Sequence, residues 1–117
     1  METSAAEKFM ARARAMRDAA VASGDQPYGA VVVRGGELIV SAPSQVVVTT
    51  DPTAHAEMAA LRAAALALGR ADLDGCTLYS TSRPCPMCET AAAWAGIERM
   101  IHGDALHDAG RPRVRRC

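Results

Sequence analysis

The stretch CTLYSTSRPCPMCETAAAWAGIERMIHG, residues 76–103, decides the fold. CTLYSTS is β-branched and aromatic, as a strand requires. RPCPMCETAAAWAG reads as a helix, with proline near its first turn and Gly96 at its end. ERMIHG is a further strand. A strand, a helix and a strand in direct succession form a crossover, and a crossover joins parallel strands.

Upstream, PYGAVVVRGGELIVSA (27–42) reads as an antiparallel hairpin. YGAVVV is a buried strand, GG the turn and ELIV the return. PSQVVVTTDP is a loop, with a short extended piece at Val46 to Val48. The N-terminal SAAEKFMARARAMRDAAVASG is helical. Ser4 and Glu7 form a capping box, and Phe9, Met10, Ala13, Met16, Ala20 and Val21 fall on one face. Gly24 ends that helix. Another begins after DPT, with Thr53 as its N-cap and Gly69 as its stop. Downstream, DALHDAG suits one helical turn and RPRVRRC a basic tail. The order α, β, β, α, β, α, β predicts an α/β protein with a mixed sheet and helices on both faces.

The 117 residues suit a single domain, 1–117, and half of them are hydrophobic. Thirteen basic and thirteen acidic side chains give zero net charge. That balance creates no general attraction to nucleic acid or anionic membrane. Phe9, Tyr28, Tyr79 and Trp94 are too few aromatics for a base-stacking platform. No apolar run approaches the roughly 20 residues of a membrane span. The segment METSAAEKFMARARAM carries charges where a secretory signal is apolar. A soluble cytoplasmic protein with no membrane partner is expected. Of Cys76, Cys85, Cys88 and Cys117, the central pair forms a C-x-x-C, which points to metal or redox chemistry.

TAHAEMAAL, residues 53–61, sets His55 and Glu57 at the start of an otherwise apolar helix. Cys85 and Cys88 lie in the first turn of the next helix, so the two N-termini can meet at one sheet edge. One imidazole and two thiolates form a catalytic zinc set, which holds Zn²⁺ and leaves its fourth position for water. The three-residue spacing turns both sulfurs the same way, and the helix N-terminus favours thiolate. Glu57 is not a ligand in this reading. It diverges from His55 by about 200° on a regular helix, less where the first turn is irregular. From there it reaches the water, takes its proton and passes it to a leaving amine.

HAE (55–57) and PCPMC (84–88) match the zinc-deaminase signature H-x-E … P-C-x-x-C. The chain resembles the cytidine deaminase-like superfamily. DPTAHAEMAALR, LYSTSRPCPMCETAAAWAG and PYGAVVVRGGELI are most similar to its bacterial guanine deaminase and tRNA adenosine deaminase branch, over about residues 27–103. Pro86 is more like the nucleobase deaminases. The resemblance implies a three-layer α/β/α sandwich with a mixed sheet of four to five strands. It implies hydrolytic deamination of a small aminated ring by zinc-bound hydroxide, with release of ammonia. His55, Cys85 and Cys88 would hold zinc and Glu57 would shuttle protons. The Ala56 N–H would bind a ring carbonyl, a carbonyl near Ser82 would receive the leaving amino group, and Asp108 would grip substrate.

Three departures stand out. The slot for a base-gripping asparagine falls on Ser44. Arg83 replaces the usual glutamate before Pro-Cys, where a cation favours the thiolates and attracts an anionic or carbonyl-rich substrate. The chain as printed ends where relatives add a strand and a helix, so an open site or closure by a second subunit is expected. A homodimer would also cover apolar surface, with Trp94 in the core or at that interface.

The bland alternatives are a redox pair, half of a zinc ribbon and a structural zinc. A ribbon needs a second C-x-x-C, which is missing. A structural zinc needs a fourth protein ligand, from Cys76, His102 or His107. Cys76 reads as buried apolar, His102 and His107 as polar strand-end or loop groups, and Arg111, Arg113, Arg115 and Arg116 as a solvated end. The leading function is a nucleobase deaminase acting on guanine or a related pyrimidine or triazine. The alternatives are tRNA adenosine-to-inosine deamination, which zero net charge and few aromatics disfavour, and a non-catalytic zinc-stabilised module.

Overall fold

A computed structural model describes residues 4–114. Helix α1 (Ala5–Ala22) is followed by strands β1 (Gly29–Arg34) and β2 (Glu37–Pro43). Helix α2 (Ala56–Leu68), strand β3 (Cys76–Ser80), helix α3 (Pro86–Trp94), and strands β4 (Arg99–His102) and β5 (His107–Gly110) complete the chain. The sheet order is β2-β1-β3-β4-β5. The crossover pair β3–β4 is parallel, and every other neighbouring pair is antiparallel.

Alternation along the central strands builds both cores. On β1, Ala30 and Val32 face a cluster with Ala56, Ala60 and Ala64 of α2 and Ala92 of α3. Val31 and Val33 face the opposite way, onto Met10 and Ala13 of α1, together with Tyr79 of β3. The sheet is therefore sandwiched between α1 on one face and α2 with α3 on the other, as expected. Alanine-rich helix faces let the backbones approach closely. The closest approach is at Gly29, where an added Cβ would collide with the Ala13 carbonyl and the Arg17 N–H. The α1 cap is as predicted, with the Glu7 N–H donating to Ser4 Oγ at 3.2 Å. Among the described residues no helix is long and apolar enough to cross a membrane.

Several expectations need correction. Residues 46–50 form turns rather than an extended piece, because the Asp25 carboxylate collects the Val47 and Val48 N–H groups at 2.8 and 2.9 Å. In place of the expected helical turn, DALHDAG (104–110) begins in a hydrogen-bonded turn and continues as strand β5, which pairs with the otherwise open edge of β4. Val21 is 57% exposed and Trp94 79% exposed, so neither belongs to the core. Thr53 does not cap α2. Its N–H and hydroxyl both donate to Asp51 Oδ1, and His55 holds the cap position. Arg115, Arg116 and Cys117 of the basic tail lie outside the described residues.

Candidate active site

Helices α2 and α3 both begin at residues unable to cap them by the usual side-chain bond. His55 caps α2 with φ −56° and ψ 154°, and Cys85 caps α3 with φ −71° and ψ 168°. Neither side chain bonds to its own helix. Serine, threonine, asparagine or aspartate would normally stand there, so the capping contribution is given up and both side chains are freed to turn toward each other. His55 Nδ1 lies 3.6 Å from Cys85 Sγ and 3.5 Å from Cys88 Sγ. All three donor atoms fall within 4.8 Å of one another. His55 thus sits just outside α2 in extended backbone, and the regular-helix angle to Glu57 does not apply. β3 is the middle strand, so the cluster lies off its carboxyl end rather than at a lateral edge of the sheet.

The donor set fits zinc. Bonds of about 2.0–2.1 Å to nitrogen and 2.3 Å to sulfur in a tetrahedron separate nitrogen from sulfur by about 3.6 Å, close to the observed spacings. Burial first, then the Glu57 charge and Cys85, push the Cys88 thiol well up, while a hydrogen bond from the Met58 N–H of α2 pulls it down. A thiolate in such surroundings calls for a cation. Among the described residues the donor group has three members. Cys76 is buried on β3, and His102 and His107 face a different cavity, so none of them supplies a fourth ligand.

A cleft of about 570 Å³ opens beside the cluster, lined by Gln26, Tyr28, His55, Glu57, Ser82, Arg83 and Cys85. Glu57 is only 5% exposed, and burial pushes its carboxyl up to about 6, against the pull of its own N–H. Ala56 is buried at the first position of α2. The Ser82 carbonyl accepts the Ser80 hydroxyl at 2.7 Å, which leaves one of its lone pairs for another donor.

Two residues expected at the substrate, Ser44 and Asp108, do not line this cleft. Ser44 is buried and donates to Asp25 Oδ1 at 2.8 Å, outside the cleft lining. Counting forward from the hairpin could not reveal that bond, because its partner lies nineteen residues upstream. Asp108 is on β5, 3.2 Å from Arg99 Nη1, and its Oδ1 accepts the Gly110 N–H. It lines the neighbouring cavity instead. Gln26 and Tyr28 line the cleft without standing in any motif. Their only signal is their place directly before β1.

The comparisons with known proteins agree with this geometry. Guanine deaminase of Bacillus subtilis is 43% identical over 104 residues, 88% of this chain and 67% of that one. A tRNA-specific adenosine deaminase of Aquifex aeolicus is 44% identical over 89 residues, 74% of this chain and 59% of its own length. The crystal structure of the Bacillus subtilis guanine deaminase superposes with a TM-score of 0.80 at 40% identity, covering 83% of this chain and 62% of the other. The chain thus spans roughly three fifths to two thirds of these relatives. Residues 3–104 match the family described as the cytidine and deoxycytidylate deaminase zinc-binding region. That match takes in His55, Cys85, Cys88 and both helices that carry them, and the chain belongs to this family of zinc-dependent deaminases.

Proposed function

We propose that this chain hydrolyses the exocyclic amine of a small nucleobase-like ring, guanine first, and releases ammonia. One juxtaposition carries the reading: three metal donors and a buried carboxylate share one ring-sized cleft. His55, Cys85 and Cys88 hold the zinc, which when bound supplies Lewis acidity that makes water nucleophilic near neutral pH. Glu57 takes one proton from the attacking water and gives it to the ring nitrogen, then takes the second from the hydroxyl left on the ring carbon and gives it to the departing amine, so that a carbonyl and ammonia result. Burial suits it to both steps, since a carboxyl raised toward neutrality gives and accepts protons readily. The Ala56 N–H meets a ring carbonyl. The free lone pair of the Ser82 carbonyl accepts from the amine as it leaves. Tyr28 gives the cleft an aromatic wall for a flat ring.

The similarity to guanine deaminase across most of the chain supports a guanine-type ring as the group deaminated. Adenosine in tRNA is the second reading, supported by the likeness to tRNA-specific adenosine deaminases. An ammonia-release screen over guanine, guanosine 5′-monophosphate, cytosine, isocytosine, adenine, triazines and tRNA, with Glu57→Ala as control, decides between them. Release from a free base or its mononucleotide, and not from the control, supports the first reading. Release from tRNA alone replaces it with the second, and release from nothing favours a non-catalytic module. A cytoplasmic homodimer completes the proposal. Trp94 at 79% and Leu66 at 84% exposure are large apolar groups that a second copy would cover. Sedimentation that shows only monomer at micromolar concentration removes that part.

A further inference from the structure

We propose that a cavity beside the catalytic cleft receives the anionic end of the substrate, a phosphate ester attached to the aminated ring; this rests on the ring-deamination reading above. The cavity measures about 280 Å³ and has buried Pro84 and Met100 in its wall. Arg83 lines both this cavity and the cleft that holds Glu57. It therefore joins the site of chemistry to a second chamber. Arg111 and Arg113, just past β5, add two more guanidinium groups to the lining. His102 and His107 face each other across β4 and β5, with ring centroids 4.9 Å apart.

Two carboxylates also reach this cavity, and both are engaged. Asp108 pairs with Arg99, and Glu89 Oε2 accepts the Arg113 N–H at 3.0 Å. The ion pairs among the described residues use Arg14, Arg17 and Arg99, not Arg83, Arg111 or Arg113. A chain with no net charge thus concentrates positive charge at one place beside its cleft. Burial first, then His107 and Arg83, push the His102 imidazole down. Planar guanidinium groups match phosphate oxygens in pairs, and the chamber has room for one such group with its water.

The test compares binding of guanine, guanosine and guanosine 5′-monophosphate to zinc-loaded Glu57→Ala protein by calorimetry. Charge-assisted hydrogen bonds to a phosphate predict a preference of about tenfold or more for the monophosphate over the nucleoside. Arg83→Gln and the double variant Arg111→Gln/Arg113→Gln should each pull that ratio toward unity, and inorganic phosphate should compete with the nucleotide but not with guanine. A ratio near unity in the parent, or one that survives both variants, overturns the proposal. So does tight binding of an anticodon stem-loop RNA with no preference between nucleotide and nucleoside. Titration of inorganic phosphate into the unmutated protein, followed at the His102 and His107 ring resonances, gives a readout free of any variant's folding. No movement of those resonances overturns the site. Movement in an enzyme that deaminates no ring supports the anion site and overturns the reaction.

Discussion

The Ser44 hydroxyl donates to Asp25 Oδ1 over 2.8 Å, and both side chains are buried. Asp25 Oδ1 also accepts the Gln26 N–H, and Oδ2 accepts the N–H groups of Val47 and Val48. One carboxylate therefore ties the end of α1 and the cleft residue Gln26 to the loop that leads to His55. Burial pushes the Asp25 carboxyl up, but these hydrogen bonds together outweigh it and hold it below the usual carboxylate value.

The sign of the pH effect follows. A carboxyl held low in the folded state stabilises fully above its unfolded value and loses that contribution as pH falls through its folded one. Asp25→Asn should lower the melting temperature near neutral pH, and the gap to the parent should close as pH drops below the ordinary carboxylate range. Thermal melts of both proteins from neutral pH into acid check this. A gap that stays constant or widens in acid contradicts the assignment.

The reach of the sequence divides along the same line. The crossover and the hairpin are legible because each depends on apolar alternation or on spacing within one element, and the meeting of His55, Cys85 and Cys88 is legible because each stands at or beside a helix start. The expected strand at Val46 to Val48 fails because β-branched valines fit a strand by propensity, whereas Asp25, distant in sequence, bends them into turns. Strand β5 is missed because HDAG has no strand pattern of its own. The open edge of β4 supplies the partner that makes it extended. Ser44 and Asp108 resist assignment for a similar reason: each is held by a partner, Asp25 or Arg99, that only the folded chain brings near.

Gly29 sets the separation of α1 from the sheet. Its Cβ position is occupied by the Ala13 carbonyl and the Arg17 N–H, both rigid backbone. Gly29→Ala must push the helix outward and loosen Met10 and Ala13 against Val31. A loss of about 1–3 kcal/mol, the usual range for an overpacked core, is expected from urea unfolding. An unchanged midpoint rules out this contact as the determinant of the spacing.

Purified protein should carry about one zinc per chain by elemental analysis, as a three-ligand site implies. Cys88→Ser should abolish most of that zinc, while Cys76→Ser should keep it, because Cys76 is buried in β3 away from the donors. Chelation should lower the melting temperature of the parent and leave that of Cys88→Ser almost unmoved, since only a metal bound to the folded state contributes to its stability. Equal zinc content in the two serine variants contradicts the assignment of donors.

Glu57→Gln separates metal binding from proton transfer. The amide keeps the shape of the side chain in its buried niche but can neither take a proton from water nor return one. His55, Cys85 and Cys88 are untouched, so zinc content and base binding should remain near those of the parent. Ammonia release should fall about 10²- to 10⁴-fold, the range of general acid–base catalysis by one positioned group. KM should change far less than kcat, because the lost interaction belongs to the transition state. A variant that binds zinc and base normally and still turns over at the parental rate would show that the proton path bypasses this carboxylate. A variant that loses its zinc would instead place Glu57 among the supports of the metal.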